Sequence, residues 1–136
     1  MTKYAKRKQP EHELQKAVVA HLRLALMPDV YYTAIPMGEW RGFSTGKRVK
    51  EMGAMPGAPD ILLIVGGVPY GLELKAGAGK QSAAQVATEA LWGAAGGVYA
   101  IARGIDDALD LLQSWGAIKG YEVQPLNVPF EGKWSR

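Results

Sequence analysis

The chain contains no cysteine and no long apolar run. Without cysteine, disulfides and thiolate metal sites such as structural zinc are excluded, so a bound metal must use oxygen or imidazole ligands. The longest apolar runs, such as residues 61–65, fall far short of the roughly 18 residues that span a bilayer. The sequence also opens without a signal-peptide pattern. We therefore expect a cytoplasmic protein with no membrane association.

Neither charge nor composition is extreme. The 136 residues are 48% hydrophobic and 21% charged, with a formal net charge of +3. These are ordinary values for a globular protein, and the length fits one domain. We expect a single domain over residues 1–136, with a basic N-terminal tail at 1–9 and a C-terminal tail at 117–136. The mild positive charge suits a polyanionic partner without identifying one.

Hydrophobic periodicity predicts the order helix, strand, hairpin, helix, strand, helix. The predicted helices cover residues 10–27, 83–95 and 105–115, and the predicted strands cover 30–35, 60–65, 68–75 and 98–102, with an edge strand near 121–124. The segment 37–59 is rich in glycine and cations, and we expect a long loop with a short helix near 45–52. We also expect Met52 and Met55 to pack. This order predicts an α/β domain, a small mixed β-sheet flanked by helices.

The hairpin around Gly66-Gly67 is the most informative feature. A two-residue glycine turn pairs the valines on either side of it. Counting back along both strands then places Asp60 directly opposite Glu73, with facing Cβ atoms about 4.5–5.5 Å apart. Because strand side chains alternate between faces, Lys75 points to the same face as Glu73. The sequence thus predicts two carboxylates and an ammonium group side by side.

Two carboxylates in an apolar hairpin repel each other and lose hydration, which only a cation or a proton makes tolerable. Mg²⁺ prefers oxygen ligands and activates water for attack on a phosphodiester, while Lys75 positions or deprotonates that water or stabilises the developing charge. A structural alternative is that Asp60 ends a strand and Glu73 forms a surface pair with Lys75. A third carboxylate comes from the first helix. Its apolar face favours Glu11, with Glu13 as the alternative.

These motifs together resemble the VRR-NUC (virus-type replication-repair nuclease) family of the PD-(D/E)xK nuclease superfamily. The resemblance covers about residues 10 to 113. It is carried by five short stretches: EHELQ at 11–15, GAPD at 57–60, LELK at 72–75, GKQSAAQ at 79–85 and the GG pair at 96–97. The sequence departs from the family pattern after the first strand. Where the family has an asparagine-glycine turn, this chain has Met37-Gly38. Any role of the asparagine is therefore absent or taken by Glu39.

The resemblance implies a restriction-endonuclease-like core and a site for Mg²⁺ or Mn²⁺. The metal ligands that it implies are Asp60, Glu73, the backbone carbonyl of Leu74 and a helix glutamate, Glu11 or Glu13. Lys75 is then catalytic, and Glu11 and Gln85 complete the pocket. Gln85 also has a plain alternative as a residue on a helix surface.

The resemblance further implies a bacterial or phage endonuclease of DNA replication, repair or recombination, acting on branched DNA such as Holliday junctions. Because one domain holds one active site, cutting both strands of a junction requires two chains, and we expect a homodimer. Five cations are candidates for binding the DNA backbone: Arg41, Lys47, Arg48, Lys50 and Lys80. The alternative function is a non-catalytic DNA-binding module of the same fold.

Overall fold

Helices and strands follow the predicted order and differ from the prediction mainly at their ends. The structure, a computed structural model, describes residues 10–36 and 43–120. The helices are α1 (Pro10–Ala25), α2 (Phe43–Glu51), α3 (Ala83–Ala94) and α4 (Ile105–Ser114). The strands are β1 (Tyr31–Ala34), β2 (Ile61–Val65), β3 (Val68–Leu74) and β4 (Val98–Ala102). The basic tail at 1–9, the Met37-Gly38 turn and the edge strand near 121–124 lie outside the described residues.

Helix α3 has clear signals at both ends. The Ser82 hydroxyl accepts a hydrogen bond from the backbone N–H of Gln85 at 3.1 Å, and the Gln85 Oε1 accepts one from the N–H of Ser82 at 2.9 Å. This reciprocal capping box satisfies two N–H groups that have no partner within the helix. Gly96, with a φ of 99°, follows the last turn, where a left-handed residue commonly ends a helix. The cap also fixes the side chain of Gln85 at the start of α3.

The four strands form one mixed sheet in the order β1-β2-β3-β4. β2 pairs antiparallel with both β1 and β3, whereas β4 pairs parallel with β3. A parallel pair needs a crossover connection, which α3 supplies between β3 and β4. The predicted α/β class with a small mixed sheet is therefore confirmed.

The hairpin has the predicted register. Val65 pairs with Val68, and the pairing continues to Ile61 opposite Leu72. The φ angles of Gly66 and Gly67 are 57° and 79°, the positive values that this kind of tight turn requires at both positions. The next facing pair in this register is Asp60 and Glu73, at the open end of the hairpin.

The hydrophobic core lies on one face of the sheet, between the strands and helices α1 and α4. Its fully buried members come from the sheet and from both of these helices: Val18, Leu22, Ile61, Leu63, Leu72, Leu74, Ala108 and Leu112. Since strand residues alternate, Gly71 and Glu73 of β3 point to the opposite face. Trp92 of α3 lies there, 3.2 Å from where a Cβ on Gly71 would stand. Helices thus flank both faces, as predicted.

Two details of the chain differ from expectation. Ala117 and Ile118 are buried in the core, and the backbone N–H of Met27 donates to the carbonyl of Ala117 at 2.9 Å, so these residues extend the fold past the expected start of the tail at 117. The methionines expected to pack, Met52 and Met55, are instead 81% and 68% exposed. No helix within the described ranges has the length and apolar character needed to cross a membrane.

Candidate active site

Among the residues that the structure describes, Glu73 is the one charged residue that is buried, and it lies on the sheet face opposite the core. Its side chain is 3% exposed, and each carboxylate oxygen accepts a hydrogen bond. Gln85 Nε2 donates to Oε1 at 2.8 Å, and the hydroxyl of Tyr99 donates to Oε2 at 3.1 Å. Lys75 Nζ lies 4.0 Å from Oε1. Elements β3, α3 and β4 therefore converge on one carboxylate.

Asp60 joins Glu73 at the end of the hairpin. Its backbone carbonyl accepts a hydrogen bond from the N–H of Ile35 at 2.8 Å, which extends the pairing of β1 with β2 by one residue. Its carboxylate Oδ2 accepts one from the N–H of Leu74 at 2.7 Å, which ties the side chain of Asp60 to the end of β3. Asp60 is thus held by both neighbouring strands, with its carboxylate turned toward Glu73.

Burial and the neighbouring carboxylate both oppose the ionisation of Glu73. Burial, followed by the charge of Asp60, raises the pKa of Glu73 to about 8. Burial also raises the pKa of Asp60, and the hydrogen bond from the N–H of Leu74 opposes that shift. In the absence of a cation, the raised pKa of Glu73 favours a proton on this carboxyl group near neutral pH. A divalent cation would take the place of that proton.

Lys75 and Glu11 approach the pair from its open side. The Lys75 side chain is only 12% exposed, although its neighbour Glu73 is the one carboxylate that it meets within 4.0 Å in the described structure. A Cβ on Gly79 would lie 3.6 Å from Glu11 Oε1 and 3.7 Å from Lys75 Cδ, so both side chains border this glycine. The charge of Glu11 also contributes to the raised pKa of Asp60.

Of the two helix glutamates, Glu11 is the one whose charge acts on Asp60. Glu13 instead pairs with Lys16 at 3.8 Å, and its side chain is 60% exposed. The apolar face of α1 accounts for this difference, because Val18 and Leu22 are buried in the core and Glu11 lies on the same side of the helix.

Two solved structures resemble this chain in three dimensions. One, described as a "VRR_NUC domain protein", has a TM-score of 0.64 and 22% sequence identity, over 78% of this chain and 87% of that chain. Another, described as a "VRR_NUC domain", has a TM-score of 0.54 and 17% identity, over 78% of this chain and 97% of that chain. This chain has the VRR_NUC fold. No family model and no curated protein matches the sequence.

The VRR_NUC fold confirms the resemblance that the motifs suggested, at the level of architecture. The motif residues lie on that fold as one group, with Asp60, Glu73 and Lys75 at the end of the hairpin. Gln85 belongs to this group because its Nε2 donates a hydrogen bond to Glu73. The alternative, in which Gln85 lies on a helix surface without contacting the site, does not account for this bond.

Two residues near the pair escaped the sequence analysis. Tyr99 is one, and burial followed by the charge of Glu73 raises its pKa, so its hydroxyl remains a donor. Arg103 is the other, and it follows β4 as Lys75 follows β3. Its guanidinium donates to the carbonyls of Gly77 and Gly79 in the loop after Lys75. The only sequence signal was that both lie on or just after a strand next to β3.

The donor set of the VRR_NUC fold in this chain fits a hard divalent cation. Within residues 10–36 and 43–120, no three acidic or histidine side chains come together as a metal cluster. The facing pair of Asp60 and Glu73 is present, however, and Mg²⁺ is usually bound by one or two carboxylates with water filling its other positions.

The candidate DNA-binding cations lie away from the core. Lys47, Arg48 and Lys50, here called the α2 cations, are all exposed, and Lys47 Nζ is 3.9 Å from Glu51 Oε1. Lys80 is exposed in the loop that follows Lys75. Arg41 lies outside the described residues. An exposed ion pair such as that of Lys47 contributes little to stability, so these side chains are available to bind phosphate.

Proposed function

We propose that this chain belongs to the VRR-NUC family and is a metal-dependent endonuclease that hydrolyses phosphodiester bonds in DNA. The observation that carries the proposal is that half-buried Asp60 faces buried Glu73, whose Oε1 lies 4.0 Å from Lys75 Nζ, on a VRR_NUC fold. A protein whose sole task is to bind DNA has no need of two facing carboxylates, because buried like charges cost stability.

Mg²⁺ or Mn²⁺ would be held by Asp60, Glu73 and the backbone carbonyl of Leu74, with Glu11 as a further candidate. When bound, such an ion would neutralise the carboxylates and lower the pKa of a coordinated water. Asp60 enters this arrangement already oriented by the N–H of Leu74. Glu73 does so through its bonds to Gln85 and Tyr99.

In this proposal, Lys75 is the catalytic cation. Its ammonium group lies beside Glu73 in a largely desolvated position, where a positive charge stabilises negative charge on a phosphate more strongly than it would in water. It would orient or deprotonate the attacking water, or stabilise the charge that develops on the phosphate in the transition state. Glu11, on the open side of the pair, would help to position the same water.

The proposed substrate is branched DNA in replication, repair or recombination, such as a Holliday junction. The α2 cations, together with Arg41 and Lys80, would bind its phosphates. A homodimer would place two active sites on one junction. Light scattering with junction DNA should give the mass of two chains per complex, and a strict monomer would argue against paired cleavage.

A cleavage assay tests the proposal. Labelled four-way junction, flap, nicked and linear duplex DNA would be incubated with Mg²⁺ or Mn²⁺ and with the wild type or one variant. We expect Asp60→Ala and Lys75→Ala to lose about 100-fold or more in rate. Asp110→Ala, which removes an exposed carboxylate on α4, should cut as the wild type does.

Two outcomes would contradict the enzyme. One is a wild type that leaves every substrate intact, and the other is an Asp60→Ala or Lys75→Ala variant that cuts as well as the wild type. DNA binding that needs no metal, with no heat on titration of Mg²⁺, would instead support a non-catalytic DNA-binding module of the same fold.

A further inference from the structure

We infer that Tyr99 is a positioning residue that, together with Gln85, fixes the Glu73 carboxylate for a divalent cation shared with Asp60. The inference rests on the proposed function and adds to it a residue that no motif identified. It starts from the two hydrogen bonds on Glu73, one on each oxygen, at 2.8 Å from Gln85 and 3.1 Å from Tyr99.

The two bonds define the orientation of the carboxylate. A carboxylate has two lone-pair directions on each oxygen, so one donor on each leaves one direction per oxygen free. With a single donor the group could still rotate about its terminal bond, a torsion with broad preferences. With donors on both oxygens that rotation would break one of the bonds. The free directions therefore stay fixed relative to Asp60.

The ring of Tyr99 is itself held in place. Gly71 on β3 pairs with Tyr99 on β4 and leaves space for the ring. A Cβ on Gly71 would lie 3.1 Å from the ring of Tyr99 and 3.0 Å from Pro59, which is fully buried beside it. Trp92 of α3 meets the ring edge-on at a centroid distance of 6.2 Å. The hydroxyl therefore points at Glu73 from a rigid support.

The second donor is equally constrained. The Oε1 of Gln85 accepts from the N–H of Ser82 in the capping box, which leaves Nε2 to face Glu73. The helix cap and the sheet thus supply one donor each. Hydrogen-bonding partners of metal ligands typically contribute 10–100-fold to metal affinity, because they orient the ligand before the ion arrives.

Tyr99→Phe tests the inference because it removes the hydroxyl and keeps the ring. The matched control is Tyr70→Phe, which removes a hydroxyl from the same sheet on a ring that packs against Trp115 at 4.8 Å, away from Glu73. Mn²⁺ affinity would be measured by calorimetry for the wild type and both variants, and thermal unfolding in EDTA would check their folding. We expect Tyr99→Phe to bind Mn²⁺ about tenfold more weakly and Tyr70→Phe to match the wild type.

A second readout separates positioning from packing. The cleavage rate of Tyr99→Phe should recover as Mg²⁺ is raised, with a half-maximal concentration about tenfold above that of the wild type. Wild-type Mn²⁺ affinity in Tyr99→Phe would overturn the role of Tyr99 while leaving the proposed function standing. Equal weakening in both tyrosine variants would also overturn it, since the effect would then be one of general packing. A wild type that binds no Mn²⁺ would overturn the proposed function itself, and this role with it.

Discussion

Replacing Glu73 by glutamine should make the metal-free protein more stable above neutral pH while removing the proposed metal site. Glu73 is 3% exposed and faces Asp60, so its ionisation in the folded state is opposed by burial and by the neighbouring charge. Glutamine keeps the size of the side chain and carries no charge, although its amide has one acceptor oxygen where the carboxylate has two. We therefore expect the variant to lose the proposed function and to gain stability in the absence of metal.

The size and sign of the effect follow from the pKa of Glu73. That pKa is about 8 in the folded protein against an ordinary 4.5. Between these values the folded state binds more protons than the unfolded state, so the free energy of unfolding falls as the pH rises through this window and levels off above it. The shift corresponds to a loss of about 3 kcal/mol between pH 5 and pH 8, as an order of magnitude. Glu73→Gln lacks this contribution.

Chemical denaturation in EDTA at several pH values measures the effect. The free energy of unfolding of the wild type should decrease from pH 5 to pH 8, and that of Glu73→Gln should decrease less steeply because only Asp60 retains a raised pKa at the site. At pH 8, Mg²⁺ in place of EDTA should stabilise the wild type and leave the variant unchanged. Parallel curves for the two proteins would refute the reasoning.

Three further predictions concern the fold and the DNA. Gly57 has a φ of 83°, and a Cβ there would lie 2.3 Å from a carbonyl oxygen of α3. Gly57→Ala should therefore lower the free energy of unfolding by more than Gly53→Ala. Gly53 has a φ of 99°, and a Cβ there would meet no atom within 4 Å. Equal losses of about 1 kcal/mol would show that backbone strain alone acts. Leu112→Ala should cost about 2–5 kcal/mol in denaturation because Leu112 is fully buried, while Leu24→Ala, at 85% exposure, should cost under about 0.5 kcal/mol, and similar costs would contradict the assigned core. Alanine at all three α2 cations should reduce the slope of log affinity for DNA against log salt by about 2–3, and an unchanged slope would exclude them from phosphate contact.

The hairpin and its carboxylates could be predicted because their geometry is local. A two-residue turn at Gly66-Gly67 fixes the register of both strands, and alternation then places Asp60, Glu73 and Lys75 on one face. The helical period favoured Glu11 over Glu13, which stays a prediction, and the sequence could not show that the carboxylate of Glu11 would border Gly79.

Contacts across the crossover could not be predicted in this way. A connection through α3 indicates that β3 and β4 are parallel but leaves their register open, and that register places Tyr99 beside Gly71. The donation from Tyr99 to Glu73 and the contact of Arg103 with the loop after Lys75 both depend on it. The exposure of Met52 and Met55 depends on which surface packs against the segment after α2. Hydrophobic periodicity does not predict such a long-range contact.

The central claim is that Asp60 and Glu73 hold a divalent metal ion for phosphodiester hydrolysis. Its most direct test is anomalous diffraction from crystals soaked in Mn²⁺, with Glu73→Gln crystals soaked in the same way as the control. The proposal predicts an anomalous peak about 2.0–2.6 Å from carboxylate oxygens of both residues in the wild type and none in the variant. Two results would contradict the proposal. One is the absence of a peak between these carboxylates in wild-type crystals, and the other is the same peak in crystals of the variant.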